Sequence, residues 1–447
     1  MFRSAQLTPA QFLVFGFISL IAVGTGLLHL PLSAPPERGL TFVQALFTAT
    51  SAVCVTGLIV VDTATALSPF GQGVVLALIQ LGGLGYMTLT TSVAVALGRR
   101  ITLQERMALQ EGLQAASLED LLQFLGRVLK LTVLFEAAGA VILAAWWWPE
   151  YGVRALYLGV FHAISAFNNA GFSTFSTNLV AYRGDLVVNT VVIVLLVAGG
   201  LGYLVLSELL VVRRKAPLSL HARFVLALTA ALGGGAIIII FVLERHNPVT
   251  LGPLTTGEAL LAAAFHALAP RTAGFNTIAI GSLYEPTLFV IMVLMFVGAA
   301  PGGTGGGIKV TTLGLTVLAL WAMIRNRADA VVFGRRLPTE AIARAFAISL
   351  IAFLVVNLVA GALLILEGRT LTATLFETIS AFGTVGLSMG EGESPLSLAG
   401  HLSAPGQLLL CVLMFAGRLG PMTLAVALAR GRRQPALRYP EGKVLIG

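Results

Sequence analysis

Four short stretches of the chain share one order of residue types: AVCVTGL (Ala52 to Leu58), AFNNAGF (Ala166 to Phe172), PRTAGFN (Pro270 to Asn276) and AFGTVGL (Ala381 to Leu387). Each holds a glycine at the same place, Gly57, Gly171, Gly274 and Gly386. Each follows a short apolar run containing a phenylalanine, Phe47, Phe161, Phe265 and Phe376. The glycines recur at intervals of about 110 residues, which predicts four copies of one structural unit around an axis. The chemistry on offer is that of the backbone. Short helices ending at these glycines would turn their C-terminal ends inward and present partial negative charge to a cation.

The elements that position such loops must lie in a membrane. The 447 residues are 57% hydrophobic and only 11% charged, against about 25% charged in a soluble domain. That composition predicts a polytopic membrane protein. Cys54 and Cys411 are too few for a disulfide framework. The N-terminal apolar segment has no clear small-residue cleavage site and reads as a first span. The formal charge of +8 is unevenly placed. Basic residues cluster at 99–130, 213–223, 325–344 and 430–443, while alternate loops hold few. This is the positive-inside pattern of a multi-pass protein with both termini cytoplasmic, and it argues against nucleic-acid binding.

Taken in order, the pattern predicts an all-α protein of four tandem repeats. Repeat 1 covers 1–98, with spans at 11–30 and 73–97 and a short run from Thr41 to Val53. A linker at 99–126 is expected along the cytoplasmic surface. Repeat 2 covers 127–212, with spans near 128–148 and 186–212 and a short run at 155–167. Trp146, Trp147 and Trp148 suggest an interfacial belt on the outer face. A linker at 213–222 leads to repeat 3 at 223–324, with a span near 224–243, a short run at 258–269 and a long segment at 286–324. After a linker at 325–344, repeat 4 covers 345–429, with spans near 345–366 and 406–429 and a short run at 371–382. The basic tail is 430–447. The total is eight full crossings and four re-entrant half-helices. A half-crossing carries non-helical backbone, which survives at membrane depth only where it lines a cavity. Four of them can surround one central, pseudo-fourfold path.

Four span–loop–span units with a glycine in each loop resemble the Trk/Ktr/HKT superfamily of potassium transporters. The resemblance covers essentially the whole chain. It is closest to the membrane subunit of the Ktr type, because the extra N-terminal spans of longer Trk subunits are missing. It implies potassium uptake across the cell membrane, a homodimer, and a cytoplasmic ring of nucleotide-binding regulatory subunits. No cofactor is expected in this chain; potassium is the substrate and sodium a possible one. A potassium ion sheds water in a narrow filter, where backbone carbonyls replace its hydration shell, and glycine permits the angles that turn carbonyls inward. The expected filter residues are Val55, Thr56 and Gly57; Asn169, Ala170 and Gly171; Thr272, Ala273 and Gly274; and Thr384, Val385 and Gly386. In the plant branch a serine at the first glycine accompanies sodium transport, so Gly57 leans towards potassium.

Repeat 3 also carries GAAPGGTGGGIKV (Gly298 to Val310). It is a poor phosphate loop, since Lys309 follows Ile308 and precedes Val310. The resemblance makes this stretch, with Gly302, Gly303, Thr304, Gly305, Gly306, Gly307 and Lys309, an intramembrane gate below the filter. A kink for close helix packing is the alternative. Arg418 sits in mid-span, where a charge normally faces a cavity or a partner; the family's matching arginine projects into the path. Snorkelling to the inner face is the alternative. GGLGYMT (Gly82 to Thr88) and GGLGYLV (Gly199 to Val205) occupy equivalent places. His162, His266 and Cys54 read as packing residues, Glu136 and Asn357 as hydrogen-bonded within the bundle. Arg271 is expected to pair with Glu377 or Glu391. The acidic outer loops, including Asp62, Asp185, Glu258 and Glu391, either enrich cations or simply face water. A sodium-coupled transporter of the same superfamily and an organic-solute carrier are the competing functions. A membrane enzyme is disfavoured, because no nucleophile–base pair or metal motif stands out.

Overall fold

The computed structural model describes residues 9–35, 39–85, 118–211, 217–392, 394–420 and 423–424. The basic tail, most of the surface linker expected at 99–126 and the second half of the span expected at 73–97 lie outside the described residues. From Leu118 the linker is continuous with the helix that follows it.

The described elements repeat one order. Long apolar helices α1 (Pro9–His29), α4 (Leu118–Tyr151), α8 (Leu220–Glu244) and α12 (Thr339–Glu367) open the units. Each contains a stretch long and apolar enough to cross a membrane. A short helix comes next: α2 (Phe42–Val53), α5 (Arg154–Phe167), α9 (Thr256–Leu268) and α13 (Leu371–Gly383). An inner segment closes each unit: α3 (Pro69–Gly83), the pair α6 (Leu186–Gly200) and α7 (Tyr203–Val211), the pair α10 (Glu285–Phe296) and α11 (Val310–Ile324), and α14 (Ala404–Leu419). A hairpin of Val331–Val332 and Arg335–Arg336, with Arg336 bonded to Asp329 at 2.8 Å, connects the third unit to the fourth.

Local chemistry sets the ends of these helices. Thr41 and Gln44 form a capping box at α2, as do Thr255 and Glu258 at α9. Ser68, Ser219 and Ser403 cap α3, α8 and α14. Asp185 accepts from Val187 N and Val188 N, both at 2.9 Å, and from Trp146 Nε1 at 2.6 Å. Two of the acidic outer residues thus serve as helix caps.

The short helices form the inner ring. Each packs on the outer and inner helices of its own unit and on the inner helix of the preceding one: α5 on α3, α9 on α6, α13 on α10, and α2 on α14. The last contact closes the circle. Phe47, Phe161, Phe265 and Phe376, the phenylalanines of the periodic runs, are all fully buried. The outward faces of the long helices stay apolar, with Ile365 87% and Leu358 73% exposed, as lipid-facing surfaces require.

Three expectations are corrected. The span expected at 186–212 is two helices bent by 110° at Leu201–Gly202, because Gly202 adopts φ +87° and Tyr203 N donates to Gly302 O at 3.1 Å instead of to its own helix. Trp147 is not part of a surface belt. It is 1% exposed and packs edge-on against His162 and Phe175, while Trp146 and Trp148 are about half exposed. Asn357 is exposed and bonds only to Phe353 O of its own helix, at 2.7 Å.

At the end of α8, the buried Glu244 accepts from Asn247 Nδ2 at 2.7 Å, Thr250 Oγ1 at 2.6 Å and Tyr284 N at 2.8 Å, clasping α8 to the start of α10. Glu244→Ala takes the acceptor from the buried Thr250 hydroxyl and the part-buried Tyr284 N–H, and leaves Asn247 Nδ2 with Ser282 O alone. It is expected to cost about 3 kcal/mol, read as a lower midpoint of thermal unfolding for the detergent-solubilised protein.

Candidate ion path

Each short helix runs directly into its glycine loop, and the backbone there follows one rule. The first and third residues of every triplet are left-handed: Val55 (φ 57°) and Gly57 (95°), Asn169 (59°) and Gly171 (69°), Thr272 (79°) and Gly274 (72°), Thr384 (50°) and Gly386 (91°). Thr56, Ala170, Ala273 and Val385 between them are not. This alternation of handedness belongs to neither a helix nor a strand. For β-branched Val55, Thr272 and Thr384 the conformation is strained, at a cost of order 1–3 kcal/mol each. All twelve residues are buried.

The four triplets meet in a closed ring. A methyl group on Gly57 would strike Ala170 O and Gly171 Cα; on Gly171, Gly274 Cα and Ala273 O; on Gly274, Val385 O and Gly386 Cα; on Gly386, Thr56 O and Gly57 Cα. Glycine is required both for its φ and for this approach. Serines not singled out in the sequence hold the backbone in place. Ser51 and Ser380 accept from Gly57 N and Gly386 N, each at 3.1 Å, and Ser165 donates to Phe172 O at 2.7 Å. Asn169, with its amide nitrogen facing Leu196 O and Ala166 O, accepts from Thr272 Oγ1 at 3.2 Å, joining the second and third loops.

Above the glycines opens a cavity of about 560 Å³, floored by all four of them. Its walls are stitched between units: Ser176 Oγ donates to Asp62 at 2.6 Å, Leu179 N to Asn276 O at 3.1 Å, and Ile59 N to Ser397 Oγ at 2.9 Å. Asp62 is the carboxylate among the described residues lining it.

Residues 298–309 lie against Thr272 and Thr384, the first residues of the third and fourth triplets. Here the inner segment breaks, and Val297 bridges to Ile308. The loop is bonded directly to the second and fourth units. Ala300 N donates to Gly200 O at 3.0 Å, Thr304 N to Gly199 O at 3.2 Å, Gly307 N to Gly417 O at 3.2 Å, and Gly306 N to Thr384 Oγ1 at 2.9 Å. Lys309 Nζ donates to Gly305 O at 2.6 Å. Arg418 donates from Nη1 to Thr304 O and from Nη2 to Gly82 O of the first unit. A side chain on Gly305 would strike Thr272 Oγ1, and one on Gly306 would strike Thr384 Oγ1. Gly302 is exposed; Thr304, Gly305, Gly306 and Gly307 are buried.

The inner segments also share a break, with left-handed Gly85, Gly202, Gly302 and Gly420. Aligned on these glycines, Arg418 occupies the place of Gly83, Gly200 and Ala300. One residue earlier, Gly82, Gly199 and Gly417 lie against Val53 O, Phe167 O and Phe382 O, the last carbonyl turns of their short helices. This explains why the GGLG stretches recur.

Other side chains sit as follows. His162 bonds to Leu158 O (2.8 Å) and Ser173 Oγ (2.9 Å), His266 to Ala262 O (2.9 Å), and Cys54 is a buried free thiol. Glu136 accepts from Asn168 Nδ2 at 2.9 Å and from Gln80 Nε2 at 3.3 Å. Among the described residues, Arg271 does not pair with a carboxylate. It is 8% exposed among Leu196, Gly200, Leu201 and Thr229, and its two expected partners are engaged elsewhere. Glu377 bonds to Ser388 and Ala399 N; Glu391 bonds to Arg369 at 2.6 Å. At the vestibule surface that hydrogen bond, and then the guanidinium charge, hold Glu391 below the usual carboxylate range.

The TrkH family, described as a cation transport protein, matches residues 8–437. The chain belongs to this family. It is 40% identical to the Ktr system potassium uptake protein B of Bacillus subtilis (strain 168) over 99% of this chain and 97% of that protein. The protein of the same name from Vibrio alginolyticus is 36% identical over 98% and 94%. The potassium/sodium uptake protein NtpJ of Enterococcus hirae is 34% identical over 99% and 98%. The fold matches the crystal structure of the potassium transporter TrkH from Vibrio parahaemolyticus, with a TM-score of 0.74 and 19% identity over 96% of this chain and 86% of that one. The family and the long apolar helices make this a multi-pass membrane protein.

Gly417→Ala forces a methyl group onto Phe382 O, whereas Gly73 of α3 has open space around it. The first change is expected to cost about 2 kcal/mol by overpacking and the second to be neutral or slightly stabilising. Thermal unfolding of the two purified variants, side by side, checks the contrast.

Proposed function

We propose that this chain is the membrane subunit of a potassium uptake system, and that potassium moves along the axis between the four glycine loops. The observation that carries this reading is the closed ring of left-handed triplets, whose carbonyls are free of any helix or strand ladder. Such carbonyls replace the ion's water, and the partial negative ends of α2, α5, α9 and α13 add to their attraction. The filter is Val55–Gly57, Asn169–Gly171, Thr272–Gly274 and Thr384–Gly386. The vestibule above it, with Asp62 in its wall, collects ions.

Residues 302–307 and Arg418 form the resting barrier. The loop fills the path, and an arginine and Lys309 stand in it with carbonyls, not carboxylates, as their hydrogen-bond partners. Opening requires the loop to leave Gly199, Gly200 and Gly417. The pseudo-fourfold plan of eight crossings and four half-helices accounts for the cyclic contacts of the short helices. The protein lies in the cell membrane with both termini cytoplasmic, as the basic loops argue. The names of the Ktr relatives favour a partner, and the family implies a homodimer on a cytoplasmic ring of nucleotide-binding subunits. A second reading, a path that also passes sodium, is favoured by the likeness to a protein named for both ions.

Expression in a cell lacking potassium uptake is expected to restore growth at low external potassium, with rubidium competing strongly and sodium weakly. Equal competition by sodium would establish the second reading, and no rescue would count against both. Arg418→Gln is expected to raise rubidium flux into vesicles roughly tenfold, the gain from removing ~1.4 kcal/mol of barrier. Unchanged flux would remove Arg418 from the barrier.

A further inference from the structure

We propose that two buried struts on one diagonal of the ring, Glu377 to Ser388 and His162 to Ser173, fix the spacing of the filter and thereby its preference among monovalent cations. The proposal rests on the filter reading above.

In the second and fourth units a residue of the short helix bonds the residue two positions beyond the filter glycine. In the fourth unit Ser388 Oγ donates to Glu377 Oε2 at 2.6 Å. In the second, His162 Nε2 and Ser173 Oγ are 2.9 Å apart. Both short-helix residues are 1% exposed or less. Both are locked from behind. Glu377 Oε1 accepts from Ala399 N at 2.9 Å, and His162 Nδ1 lies 2.8 Å from Leu158 O. A proton on Nδ1 satisfies that carbonyl and leaves Nε2 to accept from the serine. The serines pass the constraint to the backbone leaving the filter. Ser388 accepts from Gly390 N at 3.1 Å and Leu398 N at 2.8 Å, and Ser173 from Phe175 N at 3.0 Å.

The other two units have no such bond. In the first, the pair is Thr48 and Ile59; Ile59 has no polar atom, and Thr48 Oγ1 has no hydrogen-bond partner. In the third, Asn276 donates its amide to Ile278 O at 3.0 Å. The ring contacts run from Gly57 to Gly171, Gly274, Gly386 and back. The second and fourth loops therefore face each other, and the struts brace opposite walls. A ring of carbonyls that closes inward favours the smaller ion, sodium. Two rigid walls on one diagonal resist that collapse, while the other two loops remain compliant enough to release the ion.

The test uses full-length protein in vesicles, with rubidium as tracer and sodium as competitor. Wild-type protein must show rubidium preferred over sodium; equal competition would overturn the filter reading and this proposal together. Given that preference, Glu377→Ala, Ser388→Ala and Ser173→Ala are each expected to lower it about tenfold, the effect of losing one such hydrogen bond. Ser388→Thr, which keeps the hydroxyl, is expected to retain it, and so is Thr48→Val in the unbraced first unit. If Glu377→Ala does not accumulate, Ser173→Ala, which removes a single hydroxyl near the vestibule, decides the question. Serine variants that lose flux while keeping the wild-type preference would overturn the proposal and leave the struts a purely structural role.

Discussion

Backbone carbonyls that face a path inside a membrane must be held there by something other than a helix or a sheet. On the proposed function most of this structure serves that constraint: left-handed residues at the first and third places of each triplet aim the carbonyls, and four glycines let the triplets touch. Ser51, Ser165 and Ser380 fasten them to the short helices. The short helices are gripped in turn by their own unit and by the preceding one.

The same frame is used unequally. All four inner segments break at a left-handed glycine, yet each break does something different. The second bends a helix by 110°, and the third expands into the loop at 298–309 that bonds to the second and fourth units. In the fourth, Arg418 replaces a small residue, and its fork spans from the third unit's loop to the first unit's Gly82. On the proposed function, a path symmetric at the filter is closed asymmetrically below it, by hydrogen bonds between backbone groups that have other possible partners, which suits a barrier that must open.

Much of this was legible in the sequence because membrane proteins write their plan in coarse signals. Apolar run lengths gave the short helices to within a few residues, whereas α4 begins ten residues before the span expected at 128 and α12 six before that expected at 345. The periodic glycines and phenylalanines marked the units, and the phenylalanines proved to be the buried wall behind the loops. What stayed hidden was pairwise geometry. The break at Gly202 was invisible because 186–212 is uniformly apolar, and it depends on Gly302 O accepting from Tyr203 N, 99 residues of chain away in the third unit. Arg271 was assigned a carboxylate because buried arginines usually have one; here both candidates were already bound, Glu377 to Ser388 and Glu391 to Arg369. Trp147 looked like its two neighbours, but helical phase turned it inward. The left-handed Val55, Thr272 and Thr384 could not have been foreseen from residue types that disfavour that region. The bracing serines could have been noticed, since Ser51, Ser165 and Ser380 stand six residues before the glycine in three of the four copies.

The central claim is that the four triplets coordinate a dehydrated cation. It is tested most directly by a structure of the protein in rubidium or thallium, with the heavy ion located by its anomalous scattering. The account predicts ion density on the axis, within coordination distance of carbonyls from all four loops and above the loop at 302–307. Heavy-ion density confined to the protein surface, with the axis filled by side chains or lipid, would contradict it.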